Sequence, residues 1–212
     1  MLALSLRRSL ILTTVHRLYQ REGAGRPARV RWALEEAGAP YEYVVVARDD
    51  PRIDELRARH PLGRVPVLEN DDGSLFESAA LCLHIADLFP EAGLIPARAE
   101  HARGEVYQWS FFAMTEVEPA MMRAYTARHA DVPDSDAVAK TEARLAKAGK
   151  AVADVLDGCD YLVGNAFTIA DVVMGGVLDS ARQYDLLPDL PALQAYLARL
   201  DSRAAKQRAY AT

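Results

Sequence analysis

Positions 10–18 (LILTTVHRL) are apolar and β-branched almost without a break, which predicts a buried first strand beginning near Ser9. Residues 19–25 are polar with two glycines and read as a loop. Pro27 suits the first turn of a helix, because its missing N–H costs nothing there. Val30, Ala33, Leu34 and Ala37 then recur at helical spacing, and Gly38 ends the helix as a left-handed cap. Residues 41–47 (YEYVVVA) form a second strand. A strand–helix–strand run of this length predicts a right-handed βαβ unit with a parallel pair. A short charged helix follows at 50–59. Strands at 65–69 and 74–76 flank the turn Asn70-Asp71-Asp72-Gly73 and make a hairpin. Residues 77–89 form a helix with Leu81, Ile85 and Leu88 inward.

Beyond residue 96 the period of two disappears. Residues 90–96 (PEAGLIP) read as a linker, and helices are predicted at 99–130, 135–156, 168–184 and 190–200, the last continuing briefly to Tyr210. The helix from Thr168 is mostly apolar and is expected to be central. The pattern gives an α/β domain over residues 9–90, with a mixed four-stranded sheet, and an all-α domain over residues 97–212.

Composition narrows the class. Of 212 residues, 50% are hydrophobic and 26% charged, enough apolar surface for a core, which excludes wholesale disorder. The formal net charge of −5 argues against a nucleic-acid partner, which needs a basic face. Two separated cysteines, Cys82 and Cys159, exclude a disulfide scaffold and suit a reducing cytoplasm, the expected location. No run reaches the roughly 18–20 apolar residues of a membrane helix. Residues 1–8 carry Arg7 and Arg8 within the apolar run and no small-residue cleavage site, so they are expected to be a short, loosely ordered extension. The histidines have no metal-ligand spacing, and no metal is expected.

Candidate chemistry begins at Val65-Pro66. Proline donates no ladder hydrogen bond, and a hairpin that keeps one here often holds it cis. The preceding residue's N–H and C=O could then pair with an extended, peptide-like ligand; the alternative is an ordinary edge-strand proline. Glu77-Ser78 opens the next helix, where free N–H groups and the dipole suit a carboxylate, Ser78 adds a hydroxyl and Glu77 can meet an ammonium. The alternative there is simple helix capping. Taken together, a peptide-like edge and a site for a free α-amino acid describe glutathione. Thr168-Ile169-Ala170-Asp171 reads as a capping box, with Phe167 and Val172 placed for a hydrophobic staple.

The segment His60-Pro61-Leu62-Gly63-Arg64-Val65-Pro66-Val67-Leu68, with Leu75-Phe76-Glu77-Ser78, resembles the glutathione-binding pattern of cytosolic glutathione S-transferases. Arg29-Val30-Arg31-Trp32-Ala33-Leu34-Glu35-Glu36 resembles their first helix, and the likeness extends over about residues 10–205. It implies a thioredoxin-like N-terminal domain followed by an all-α helical bundle, the glutathione S-transferase fold. It implies that Val65, with Pro66 cis, holds the cysteinyl backbone, that Glu77 and Ser78 hold the γ-glutamyl group, and that Arg64 lies near the site. It implies conjugation of glutathione to a small hydrophobic electrophile by a homodimer. Disulfide reduction, or glutathione or ligand binding without catalysis, is the alternative.

The family's thiol-activating hydroxyl has no counterpart at Ala24 or Gly25, a departure from the serine and cysteine classes. Tyr19 is the nearest hydroxyl and the candidate catalytic donor, or it packs at the strand end. Backbone N–H groups at Gly25 and the charge of Arg26 are further options. Tyr107 and Phe111, four apart on the long helix, are the expected wall of an electrophile pocket, or they pack on a neighbour.

Overall fold

The computed structural model describes residues 15–21, 25–47, 50 and 52–211; the expected extension at 1–8 and the start of the predicted first strand lie outside them. The contacts divide the chain into two units, one running to Leu94 and joined by the residues from Ala205 onward, the other Ile95–Ala204.

The first unit is a four-stranded mixed sheet with helices. Its elements are β1 (His16–Arg21), α1 (Arg26–Ala37), β2 (Tyr41–Val46), α2 (Ile53–Arg59), β3 (Val67–Asn70), β4 (Gly73–Phe76) and α3 (Ser78–Leu88). The sheet order is β2-β1-β3-β4. β1 pairs parallel to β2 and antiparallel to β3, and β3 pairs antiparallel to β4. α1 carries Pro27 in its first turn and ends where Gly38, at φ 63°, adopts the left-handed conformation that glycine favours. β1 extends through Arg21, beyond the predicted strand end, because Tyr19, Gln20 and Arg21 continue the pairing with Val44, Val45 and Val46.

β1 separates two environments, since successive side chains point to opposite faces. Tyr19 packs with Val46, Leu56 and Val67 on the face that α2 covers. His16 is buried against the Phe89 ring, 6.2 Å away, and neither ring nitrogen has a hydrogen-bond partner. Burial, and then the neighbouring His84, hold the His16 pKa below the ordinary histidine value. The imidazole is therefore neutral in the fold, while the unfolded chain takes up a proton below about pH 6.5. Stability is thus present above that pH and lost as the pH falls through it. Urea midpoints should drop between pH 8 and pH 5, and His16→Leu should flatten that slope. An unchanged slope in the variant would rule His16 out as its source.

The second unit is all helical: α4 (His101–Phe112), α5 (Glu118–Arg128), α6 (Ser135–Val155), α7 (Ile169–Gln183) and α8 (Pro191–Asp201). The predicted helix at 99–130 is interrupted by a π turn over Ala113–Val117. Pro119 supplies the reason: it has no N–H for the carbonyl four residues back, so the helix widens ahead of it. α7 is buried along most of its length. At its start the capping box is formed, with the Thr168 N–H donating to Asp171 Oδ2 at 2.8 Å. The Phe167 ring lies edge-on to Tyr161 and under the Arg203 guanidinium.

The helix α9 (Ala204–Tyr210) follows. The sequence pattern assigns these residues to the helical domain, but from Ala205 onward they pack with the first unit. Lys206 is buried beside Trp32 of α1, and Arg208 pairs with Glu35 at 2.6 Å.

Candidate functional site

The segment between α2 and β3 is shaped by His60 and Gly63. The His60 Nδ1 accepts from the Leu62 N–H at 3.0 Å, and the Gly63 N–H donates to the His60 carbonyl at 2.9 Å. Gly63 sits at φ 59°, and a Cβ there would come within 2.8 Å of Arg57 Cγ. This tight turn delivers the chain to Val65-Pro66, whose peptide bond is cis.

The sequence reading treats this point as the edge of a hairpin. The structure changes the reason the backbone is open. β3 is an interior strand, and the edges of the sheet are β2 and β4. β3 begins at Val67, so Val65 lies ahead of the ladder and outside its pairing. Pro66 is buried, and Val65 packs half-buried against the Tyr19 cluster.

The hairpin register brings the second half of the pattern alongside. Val67 is opposite Phe76. Extending that antiparallel register sets Pro66 against Glu77 and Val65 against Ser78. Glu77 is the N-cap of α3 and holds φ 72°, a left-handed conformation that costs a glutamate energy. Its side chain is exposed. Ser78 is 2% exposed, and its hydroxyl has no hydrogen-bond partner. A buried hydroxyl without a partner and a strained neighbour at a helix N-terminus are both costly to the fold. Neither acts as a side-chain cap of α3. Arg64 is exposed beside Val65 and makes no ion pair among the described residues.

Tyr19 is differently placed. Its hydroxyl donates to Glu69 Oε2 at 2.7 Å, and Glu69 Oε1 accepts from Arg59 Nε at 2.8 Å. The Arg59 guanidinium also lies 5.2 Å from the centre of the Tyr19 ring. Burial, then the bond to Glu69, raises the phenol above its ordinary pKa. The proton of this hydroxyl is held by a carboxylate. Glu69 and Arg59 are the residues that sequence reasoning missed here; the signal was the alternation of β1 and β3, which puts Tyr19 and Glu69 on one face, diagonal to each other in a register where Tyr19 faces Val67 and Arg17 faces Glu69. Tyr19→Phe should cost about 1 kcal/mol of stability, the value of one hydrogen bond. An unchanged urea midpoint would show that this bond does not hold β1 to β3.

At the mouth of α1, Gly25 is the N-cap and offers no side chain. The Ala28 N–H donates to the Gly25 carbonyl at 3.2 Å. The positive end of the helix dipole lies at this turn. Cys82 is no substitute nucleophile: burial pushes its thiol up to about 12, so it stays protonated.

In the other unit, Tyr107 and Phe111 are open to solvent, 37% and 62% exposed. The Tyr107 hydroxyl accepts from Arg103 Nε at 2.7 Å, and Arg103 also donates to the Pro96 carbonyl. Trp109 and Phe112 are half-buried and meet edge to face. Among the described residues no group of three or more His, Cys, Asp or Glu could hold a metal ion, and no helix is long and apolar enough to cross a membrane.

Two family models match the chain: the glutathione S-transferase N-terminal domain over residues 18–93 and the glutathione S-transferase C-terminal domain over residues 112–204. A glutathione S-transferase-like protein of a Fusarium species is 33% identical over 141 residues, which span 66% of this chain and 63% of that one. Glutathione S-transferase 4 of Zea mays is 30% identical over 193 residues, 85% of each chain. A solved structure of glutathione S-transferase-I bound with lactoylglutathione is similar with a TM-score of 0.76 and 25% identity, covering 92% of this chain and 97% of that one.

Proposed function

The chain belongs to the glutathione S-transferase family, and from that premise we propose that it binds glutathione and transfers the thiolate to a small hydrophobic electrophile. The observation that carries this reading is the buried Ser78 hydroxyl without a hydrogen-bond partner at the start of α3, next to β4, whose ladder partner β3 begins two residues after Val65. In this reading the Val65 N–H and C=O pair with the cysteinyl backbone beside cis-Pro66. Ser78 and the first N–H groups of α3 take the γ-glutamyl carboxylate, and Glu77 takes its ammonium. Arg64 supplies positive charge toward the glycyl carboxylate.

The thiol is activated by the N-terminal turn of α1, where the helix dipole and backbone N–H groups favour the thiolate, and Tyr19 serves structure. The thiol proton passes to water; the thiolate lone pair then forms a bond to the electrophilic carbon, and the displaced electron pair leaves with the halide of an aryl halide or moves to the oxygen of an enone, which takes a proton from water. Tyr107 and Phe111 offer the apolar surface for that electrophile. The active species is a homodimer.

A second reading, glutathione binding without transfer, is favoured by one observation: the Tyr19 hydroxyl is engaged by Glu69. Calorimetric titration with glutathione, followed by turnover with a panel of aryl halides and enones, separates the two. Binding with turnover supports the transferase; binding without turnover supports the second reading; absence of binding contradicts both.

A further inference from the structure

The last helix is attached to α1 by an unusually complete set of contacts. Arg31 Nη1 donates to the carbonyls of Ala209 and Ala211, at 3.1 and 3.0 Å, at the C-terminal end of α9. Arg31 Nε donates to the Tyr41 hydroxyl at 3.0 Å, and that hydroxyl donates to Glu35 Oε1 at 2.5 Å. Glu35 Oε2 accepts from Arg208 Nε at 2.6 Å. The Lys206 ammonium lies 5.2 Å from the Trp32 ring and 5.5 Å from the Tyr210 ring, and those two rings meet edge to face. Trp32 is fully buried although it stands on the side of α1 that α9 approaches.

We infer that α9 fixes the position of α1, with Arg31 and Lys206 as positioning residues for the thiol-activating turn at Gly25–Ala28. The inference rests on the functional reading above, in which that turn addresses the sulfur. α1 is one uninterrupted helix of twelve residues, about 18 Å long. It therefore transmits displacement at Arg31 and Trp32 to its own N-terminus. Thiolate stabilisation by a helix end falls off within the first turn, so it is sensitive to small shifts. α1 also packs on α3, where the Cys82 thiol meets the Arg29 carbonyl, so Ser78 lies one helix further from the α9 contacts than the turn at Gly25 does. Removing the α9 contacts should therefore disturb the sulfur first and the rest of glutathione less.

The test uses the full chain and four proteins: wild type, Arg31→Ala, Arg31→Lys and Lys206→Met. Thiolate absorbance of bound glutathione is followed against pH, alongside kcat and the KM for glutathione. Wild type should hold the thiol below its free value. Arg31→Ala and Lys206→Met should raise it so that the thiolate-to-thiol ratio at a given pH falls about tenfold. KM should change less than about twofold. Arg31→Lys should be intermediate, since one ammonium keeps the charge but cannot reproduce the planar fork that meets two carbonyls and Tyr41. Lys206→Met keeps an apolar stem of similar length, so it serves if Arg31→Ala does not fold. Variants that melt earlier but hold the thiol at the wild-type value would overturn the inference alone. A wild type that does not lower the thiol pKa would overturn the functional reading first.

Discussion

Asp171→Ala is expected to lower the stability of the helical unit by about 3–5 kcal/mol, because it leaves several buried donors without their acceptor, at about 1–3 kcal/mol each. Asp171 is completely buried at the start of α7. Its Oδ1 accepts from the Leu162 N–H at 3.0 Å and the Tyr196 hydroxyl at 2.8 Å. Its Oδ2 accepts from the Thr168 N–H at 2.8 Å and the Thr168 hydroxyl at 3.1 Å. The carboxylate thus joins three segments: the 162 turn, the start of α7, and α8. Alanine leaves a buried Tyr196 hydroxyl and two N–H groups without acceptors. Thr168→Ala removes only one of the four donors and should cost about 1 kcal/mol. Urea unfolding of both variants checks the ratio. Equal losses would mean that Asp171 is merely a cap.

Ser78→Ala carries the second large effect, and its signature is a pair of opposite responses. In the free protein the Ser78 hydroxyl is buried without a partner. Deleting it removes an unmet polar group, so the unfolding midpoint should hold or rise. Glutathione affinity should fall about tenfold to a hundredfold, since a hydrogen bond to a charged group is worth about 1.5–3 kcal/mol. Glu77→Gly should behave alike, relieving the φ of 72° while removing the ammonium's partner. A residue kept for stability alone would respond in the reverse sense. Lower stability with unchanged affinity in Ser78→Ala would show the hydroxyl to be structural.

The hairpin was the most legible part of the first unit. Asn70-Asp71-Asp72-Gly73 carries its own turn chemistry, and the observed register follows from it. Gly38 and the Thr168 box were legible for the same reason: local backbone requirements leave a local residue signature. What depends on distant partners was not. The end of β1 looks like loop because its last residues are polar, yet pairing with β2 keeps them extended. Tyr19 reads as an available hydroxyl until Glu69, fifty residues on, is seen to hold it. β3 is interior because β1 pairs on one side of it and β4 on the other, which strand order along the chain does not state. The π turn has a local mark in Pro119, which stands inside the helical pattern of 99–130 and was not used in the sequence reading. α9 looks like one more helix of the bundle, because nothing local marks Arg31 and Trp32 as its partners.

At the candidate site the residue types were legible and their geometry was not. Val65, Glu77 and Ser78 stand out by sequence as an opened backbone and a helix start. That Ser78 is buried and unpaired, and that Glu77 bears a left-handed backbone, belongs to the fold. Those two unfavourable features are what favour the proposed ligand site over simple capping.

Backbone amide NMR during titration with glutathione tests the central claim most directly. The account predicts that the Val65 and Ser78 amide resonances shift together along one saturating curve, and that the Val65 N–H becomes protected from exchange as it pairs with the ligand. Saturable shifts confined to other parts of the chain, or no saturable shift at all, would contradict it.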